Sequence, residues 1–264
     1  MKESTDSSLV GKELHKYGIA LEVVRERFSW TLDRKLRPLR TRKFCSDLND
    51  TISYIYRENV KIDALMDESK KGDFLGEIDN TLKKNAPQKE SKDYLVSNKG
   101  WFDMVKLLNV LTQLIRPKIV IETGVGEIGL SSSFFLQALD TNNDGTLYSI
   151  DPDRFYSVYG YHIGAGIPDR LKMRHKLIVG ESQAKLEPLL KELGEVDIFM
   201  HDGDHRYSTK MFEYETVFKY INKGGLIFSD DTWDSSWDIF VGRHKLNSCS
   251  LRYGDNGIFS IART

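Results

Sequence analysis

The feature that most constrains the fold is a series of short apolar segments between residues 118 and 231, separated by helical patterns. Five of these segments have the length and composition of buried strands: KIVIET (118–123), TLYSID (146–151), HKLIVG (175–180), VDIFMHD (196–202) and GLIFSDD (225–231). Helical patterns lie between these segments, at 131–139, 182–193 and 208–221. This alternation predicts a mainly parallel sheet with helices on both faces. Two further candidate strands, 250–253 and 257–261, bring the predicted Rossmann-like α/β sheet to seven strands.

Before about residue 98 the chain shows helices and polar connectors, with no strand alternation. Apolar residues recur at helical spacing over 19–28 and again over 48–62. Beyond this region, an amphipathic helix is predicted at 101–115. The charged segment KKNAPQKESK (83–92) contains Pro87 and is the best candidate for a linker. We therefore predict a helical region over 1–95, serving as a lid or in oligomerisation, and an α/β domain over 96–264.

Composition excludes several kinds of partner. The 38 Lys and Arg residues nearly balance 39 Asp and Glu residues, so no global field attracts nucleic acid or an anionic membrane. No signal-peptide core and no apolar run of membrane-spanning length occurs, and two cysteines fit a reducing compartment. We expect a soluble, cytoplasmic protein that acts on a small molecule. The basic run RKLRPLRTRK (34–43) is expected to be a solvated helix face or an oligomer contact.

A glycine-rich turn, ETGVGEIG (122–129), joins the first strand to the next helix. Glycine permits positive φ and close approach of a ligand, and the helix that follows offers free N–H groups. Because Gly124, Gly126 and Gly129 also fit the dinucleotide fingerprint GxGxxG, they do not distinguish a nicotinamide cofactor from a sulfonium cofactor. Glu122 favours the sulfonium cofactor, since its charge would repel the pyrophosphate of a nicotinamide cofactor and attract the ammonium group of a methionine moiety. Ser131, at the start of the helix, is also predicted to bind the cofactor.

Acidic residues end the next strands as well. Asp151 is placed to accept hydrogen bonds from ribose hydroxyls, Glu181 to bond an adenine amino group, and Asp202 to border the same cofactor. Each acid alone could be a solvated strand end beside a tight turn. Together they favour a cofactor site, because open α/β sheets bind ligands at the carboxyl ends of their strands.

A second group of carboxylates follows the fourth and fifth strands, in HDGDH (201–205) and SDD (229–231). If these strands are neighbours, Asp202, Asp230 and Asp231 converge, and their mutual repulsion favours a cation among them. An all-oxygen set suits magnesium, and calcium or manganese would also fit. Such an ion would acidify an alcohol, and Asp204 or His205 could then take its proton as general base.

These residues also have structural interpretations. Asp204 could form the turn after Gly203, and Asp230 with Asp231 could cap the following helix. His201 is expected to pack or to form a hydrogen bond at the strand end. Trp233 and Trp237 could form an aromatic wall for an acceptor or anchor the last helix in the core.

The E-x-G-x-G loop, Asp151 and the Gly224-Gly225 pair resemble the class I S-adenosylmethionine-dependent methyltransferases, from about residue 101 to the end of the chain. DGDH followed by GG-x-x-x-x-DD is similar to the metal-dependent sugar O-methyltransferases of the macrocin and novobiocin type, and more distantly to catechol O-methyltransferase. The resemblance implies S-adenosylmethionine as cofactor, Mg²⁺ held by the three convergent carboxylates, and a hydroxyl of a sugar or glycoside as acceptor. One branch of that family uses a base matching Asp204, and another uses a histidine matching His205.

Two parts of the sequence depart from the family. The N-terminal helical region lies outside the resemblance, and its helices could mediate homo-oligomer contacts. The segment RFYSVYGYHIGAGIPDR (154–170) is longer than a minimal connection and fits either a flexible lid or a packed surface loop. Two other functions stay open: an NAD-dependent oxidoreductase that uses the GxGxxG loop, and a non-catalytic cofactor-binding or assembly module in which the carboxylates are structural.

Overall fold

The computed structural model describes residues 42–57, 74–86, 99–152, 162–253 and 257–264. The chain divides into two compact units, residues 1–38 and residues 39–264. The first unit lies outside the described residues, so the following description concerns the second. The helical pattern predicted at 19–28 lies outside the described residues as well.

A seven-stranded sheet forms the centre of the second unit, with strand order β3-β2-β1-β4-β5-β7-β6. The strands are β1 Ile119–Thr123, β2 Thr146–Asp151, β3 His175–Val179, β4 Val196–His201, β5 Ile221–Ser229, β6 Asn247–Tyr253 and β7 Gly257–Arg263. β1 to β5 are parallel, and β7 runs antiparallel between β5 and β6. The predicted seven-stranded, mostly parallel α/β fold is confirmed. Strand order reverses between β1 and β4, and a crevice at such a point is where open sheets bind ligands.

Seven α-helices accompany the sheet in the described residues: α1 Leu48–Tyr56, α2 Phe74–Asn85, α3 Lys99–Ile115, α4 Leu130–Asn142, α5 Ser182–Leu193, α6 Tyr207–Phe218 and α7 Ser236–His244. A 3₁₀ turn spans Asp169–Arg174. The prediction of helix up to Ile221 was wrong, because Ile221 pairs with Val196 and begins β5. The register shifts between Val196 and Ile198, which extends β5 ahead of the apolar run that marked it in the sequence.

Two apolar cores lie on opposite faces of the sheet. Val120 of β1 packs with Leu108 of α3 and Phe135 of α4, whereas the next residue, Ile121, packs with Leu190 and Phe240 on the other face. Successive side chains of a strand point to opposite faces, so a strand covered on both sides reads as a continuous apolar run.

The two described helices of the predicted N-terminal region belong to the first of these cores. Ile52 and Ile55 of α1, and Ile78 and Leu82 of α2, are fully buried in it. Residues 87–98 lie outside the described residues, so the predicted boundary near residue 95 stays a prediction. In the described residues, no helix is long and apolar enough to cross a membrane.

A short segment before α1 extends the far edge of the sheet beside β6. Phe44 forms a parallel bridge with Ser250, whose N–H donates to the carbonyl oxygen of Lys43 at 2.8 Å. The N–H of Cys45 donates to the carbonyl oxygen of Ser250 at 2.9 Å. Cys45 and Cys249 are both buried free thiols.

Candidate active site

The glycine loop turns back against the end of β4 in the crevice between β1 and β4. Gly124 has φ +86°, and a Cβ placed there would overlap the carbonyl group of Asp202 and lie 2.8 Å from the nitrogen of Gly203. Gly126 has φ +70°, but a Cβ there would meet no atom of the described residues within 4 Å. Gly124 is thus required by the protein's own backbone, whereas none of the described residues blocks the approach of a ligand to Gly126.

Asp151, at the end of β2, braces this loop. Its Oδ2 accepts hydrogen bonds from the N–H groups of Val125 at 2.6 Å and Gly126 at 3.0 Å. The side chain is buried beneath the loop. This placement presents Asp151 at the edge where a cofactor would lie, and its predicted contact with ribose stays a prediction.

A second segment holds the loop from the other side. The N–H groups of Gly164, Ala165 and Gly166 donate in turn to the carbonyl oxygens of residues 126, 127 and 128, at 2.9, 2.7 and 3.0 Å. Asn85 of α2 donates to the carbonyl oxygen of Ala165 at 2.9 Å. This part of the predicted lid is therefore pinned to the glycine loop, while residues 153–161, which include its tyrosines, lie outside the described residues.

Glu122 is fully buried at the end of β1 and is surrounded by serine hydroxyls. Ser149 donates to its Oε1 at 2.6 Å, Ser132 donates to the same oxygen, and Ser131 donates to Oε2 at 3.1 Å. Burial raises the pKa of Glu122 to about 7, although the three hydroxyls oppose the shift. Glu122 and Ser131 therefore bond each other, and they join β1, β2 and the first turn of α4. Their predicted contacts with the cofactor stay predictions.

The other predicted cofactor residue, Glu181, lies just beyond β3, where it is the residue before α5 and has an extended backbone. It is partly exposed, at the same edge of the sheet as Asp151.

Three carboxylates meet at the ends of β4 and β5, as the sequence predicted. His201 pairs in register with Ser229, so Asp202 and Asp230 leave the two strands side by side. Burial and the neighbouring charges of Asp230 and Asp231 raise the pKa of Asp202 well above its ordinary value. Burial and the charge of Asp231 also raise the pKa of Asp230 to about 7.

Two further features shape this cluster. The hydroxyl of Tyr253, at the end of β6, donates to Oδ1 of Asp230. Asp231 has φ 47°, a left-handed conformation that costs an ordinary residue of the order of 1 kcal/mol and is enriched at functional sites. Sequence reasoning missed Tyr253, because only the tertiary fold brings the end of β6 near the end of β5, across the intervening β7.

The donor chemistry of the cluster suits a hard divalent cation, since every donor is a carboxylate oxygen and the like charges need compensation. In the part of the chain that the structure describes, however, no three His, Cys, Asp or Glu side chains are arranged so that they could hold a metal ion. The carboxylates of the cluster are therefore adjacent without forming a ready coordination sphere.

The two candidate bases are placed very differently. Asp204 accepts from Arg206 Nε at 2.6 Å and from Thr209 Oγ1 at 2.8 Å. Although burial opposes ionisation, these donors hold the pKa of Asp204 below its usual value. Both carboxylate oxygens of Asp204 are occupied in the turn that begins α6, because its Oδ1 accepts from the N–H of Arg206 at 3.2 Å.

His205 instead faces the carboxylates. Its Nε2 lies 3.7 Å from Oδ2 of Asp231, and its buried Nδ1 has no hydrogen-bond partner among the described residues. Burial, followed by the charges of Lys210 and His201, lowers the pKa of His205 well below its usual value. A lowered pKa favours the neutral imidazole, which is the form that can accept a proton.

Buried polar pairs on α6 support the strand ends. His201 Nδ1 lies 2.7 Å from Glu213 Oε2, which also accepts from Thr123 Oγ1 at 2.7 Å. Lys210 is fully buried and donates to the carbonyl oxygen of Asp231 at 2.6 Å and to Asp234 Oδ2 at 3.0 Å. Sequence reasoning placed His201 at the strand end correctly but missed Lys210 and Glu213, whose spacing is also that of ordinary polar helix positions.

The two tryptophans beyond the cluster are buried. Trp237 is fully buried in α7 and donates through Nε1 to Ser248 Oγ at 3.0 Å, so it anchors the last helix in the core. Trp233 lies in the loop that leads from the carboxylates to α7 and is 7% exposed.

The strand order, the reversed β7 and the glycine loop between β1 and α4 define a protein of the class I methyltransferase architecture. Residues 121–232 match the family model described as a methyltransferase domain. The matched segment is less than half of the chain and runs from β1 to the loop that follows β5.

One relative of similar sequence is a methyltransferase as well. A segment of 88 residues is 31% identical to 8-demethyl-8-alpha-L-rhamnosyl tetracenomycin-C 2'-O-methyltransferase of Streptomyces olivaceus, covering 33% of this chain. The match spans only 23% of the length of that relative.

Two solved structures share the fold. One, from Klebsiella pneumoniae and assigned as an O-methyltransferase, is 18% identical and superposes with a TM-score of 0.53 over 76% of this chain and 94% of that one. The other, from Staphylococcus aureus and assigned as a caffeoyl-CoA O-methyltransferase, is 14% identical with a TM-score of 0.50 over 71% of this chain and 99% of that one. At these identities the likeness concerns the fold alone.

Proposed function

We propose that this protein transfers the methyl group of S-adenosylmethionine to a hydroxyl oxygen of a sugar or another small molecule, with the help of a divalent cation. The observation that carries the proposal is the convergence of Asp202, Asp230 and Asp231 beside His205, in the crevice that the glycine loop borders. Carboxylates and a neutral imidazole at one point are a suitable set for removing a proton from an alcohol.

The cofactor would lie over the open side of the glycine loop at Gly126. Asp151 and Glu181, at the ends of β2 and β3, are the proposed partners of the ribose and the adenine. The proposed site for the methionine end lies near Glu122 and Ser131. Asp202, whose backbone touches Gly124, would border both the cofactor and the acceptor.

The proposed ligands of the cation are Asp202, Asp230 and Asp231. Mg²⁺ or another hard divalent cation would lower the pKa of an acceptor hydroxyl and orient it. The side chains would have to adjust to bind it, because their described arrangement does not form a coordination group. Tyr253 would orient Asp230 through its hydroxyl group.

We assign the role of general base to His205 rather than Asp204, because Asp204 is occupied by Arg206 and Thr209. The neutral imidazole of His205 takes the hydroxyl proton as the acceptor oxygen attacks the methyl carbon. S-adenosylmethionine, when bound, would supply the methyl group, and its sulfur would keep the electron pair of the broken carbon–sulfur bond and leave in S-adenosylhomocysteine.

The acceptor class is supported by the Streptomyces olivaceus relative, whose name describes methylation at the 2' oxygen of a rhamnosyl group. We further propose that the region 1–95 contributes to a homo-oligomer or to a lid. A cytoplasmic location is supported by the two free, buried thiols, which suit a reducing compartment.

Titration calorimetry with S-adenosylmethionine, with Mg²⁺ and with a chelator in its place, tests the cofactor and the cation separately. We expect cofactor binding in both conditions and methyl transfer to glycosides only with Mg²⁺. If the protein does not bind S-adenosylmethionine, the proposed function is wrong. Transfer at an undiminished rate in the chelator would refute the role of the cation alone.

Two matched variants test the base. His205→Gln should retain cofactor affinity and lose roughly 10²- to 10⁴-fold in turnover. Asp204→Asn should retain most of its turnover, because the structure gives this side chain a role in the turn. The opposite ranking of the two variants would show that Asp204 is the base.

A further inference from the structure

Arg42 is a buried cation that binds the loop beyond the carboxylate cluster. Its side chain is only 2% exposed, although it belongs to a basic run that the sequence predicted to be a solvated face or an oligomer contact. For Arg42 that prediction was wrong; residues 34–41 of the run lie outside the described residues. The guanidinium binds both carboxylate oxygens of Asp238, from Nε at 2.8 Å and from Nη2 at 3.0 Å.

The remaining donors of Arg42 reach the loop itself. Nη1 donates to the carbonyl oxygen of Thr232 at 2.5 Å and to its hydroxyl at 2.9 Å, and Nη2 lies 3.4 Å from the carbonyl oxygen of Asp234. Thr232 directly follows Asp231, which has the left-handed conformation. Such a conformation persists only where its surroundings hold it.

Lys210 binds the same loop from the opposite direction, through the carbonyl oxygen of Asp231 and the carboxylate of Asp234. Residues 231–234 are thus held between two buried cations, one from α6 and one from the segment that precedes α1. Arg42 is 190 residues away from Thr232 in sequence. This part of the site therefore depends on a segment outside the matched methyltransferase domain, 121–232.

A simpler interpretation is that Arg42 only attaches its own segment to the protein. That segment, however, already has two backbone hydrogen bonds to Ser250, from Cys45 and to Lys43. The acceptors of the Arg42 guanidinium lie on the loop and on α7. Its hydrogen bonds are therefore better suited to holding the loop than to attaching the segment.

We propose that Arg42 is a positioning residue of the active site, which holds residues 231–234 and thereby sets the placement of Asp230 and Asp231 relative to Asp202. The consequence for methyl transfer rests on the proposed function; the consequence for the loop does not. A positioning residue acts through others, so its loss should lower the rate of transfer without weakening cofactor binding.

Hydrogen exchange measured by mass spectrometry on the full chain tests the loop directly. The N–H of Thr232 is bonded to the carbonyl oxygen of Ile258, and that of Ser236 to Asp234 Oδ1, so both report opening of the loop. Arg42→Lys keeps the charge but loses the fork. We expect it to speed exchange at residues 232–236 by about 10-fold or more, with exchange in the glycine loop unchanged.

The matched control is Arg170→Lys, because Arg170 makes a similar two-point contact with Glu77 on the surface and is 45% exposed. It should leave exchange at 232–236 unchanged. If Arg42→Lys does not fold, Asp238→Asn provides a milder test of the same contact. Unchanged exchange at 232–236 in a folded variant of this pair would overturn the proposal, even if residues 43–45 exchange faster.

Kinetics give the second measurement. With an acceptor in hand, we expect Arg42→Lys to lower kcat about 10-fold and to leave the KM for S-adenosylmethionine within 2-fold of wild type. Equal kcat in the two proteins would refute the positioning role. If the wild-type protein transfers no methyl group, the proposed function fails, and the exchange result still decides whether Arg42 holds the loop.

Discussion

Gly124 and Gly126 offer a matched pair of alanine substitutions that separates two roles of glycine in one loop. Both residues have positive φ, at +86° and +70°. This backbone conformation costs alanine about 1 to 2 kcal/mol at either position. Only at Gly124 does the added Cβ overlap backbone, the carbonyl group of Asp202, which side-chain rotation cannot relieve.

The overlap at Gly124 forces the two turns apart, and overpacking of this kind costs about 1 to 3 kcal/mol more. We therefore expect Gly126→Ala to lose about 1 to 2 kcal/mol of unfolding free energy and Gly124→Ala about 2 to 5 kcal/mol. Urea unfolding at pH 7 measures both. A difference of 2 kcal/mol corresponds to roughly 4 to 8 °C in Tm for a protein of this size.

Cofactor binding completes the comparison. Because no atom of the described residues lies within 4 Å of a Cβ at Gly126, we expect Gly126→Ala to weaken S-adenosylmethionine binding more than its small loss of stability suggests. The reasoning is refuted if the two variants lose the same unfolding free energy. A cofactor affinity for Gly126→Ala within 2-fold of wild type would show that the cofactor does not lie over this side of the loop.

Three further substitutions test buried charges. Burial raises the pKa of Glu122 from 4.5 to about 7, so the folded state loses stability as pH rises through this window, and Glu122→Gln should gain about 3 kcal/mol relative to wild type between pH 4.5 and pH 8. Lys210→Met leaves a buried carboxylate unpaired and should cost about 3 to 5 kcal/mol, whereas Lys191→Met removes an exposed ion pair and should change the stability little. Tyr253→Phe removes the hydroxyl that donates to Asp230 and should cost about 1 to 3 kcal/mol and lower turnover.

Urea unfolding at several pH values measures all three. A pH profile of Glu122→Gln that is parallel to that of wild type would contradict the burial argument. Equal losses for the two lysine variants would show that Lys210 is not the counter-charge of this loop. Tyr253→Phe with wild-type stability and turnover would mean that the hydroxyl is dispensable for Asp230.

The sequence by itself determined the fold class and where the chemistry gathers. Buried parallel strands must be apolar on both faces, so their short runs stand out, and the residues that follow them necessarily lie at one edge of the sheet. This is why the glycine loop, Asp151 and the approach of Asp202 to Asp230 could be predicted without coordinates. The strand at 221–224 was missed, because its residues lack the apolar run that marks the rest of β5.

Only the tertiary structure decided which groups support that edge and which are free to act. Asp204 and His205 are neighbours in sequence, yet the turn into α6 occupies one and leaves the other beside the carboxylates. The buried charges of Arg42 and Lys210 look like ordinary surface residues in sequence. Their role depends on partners contributed by distant segments, and a local pattern of residues carries no information about contacts of that kind.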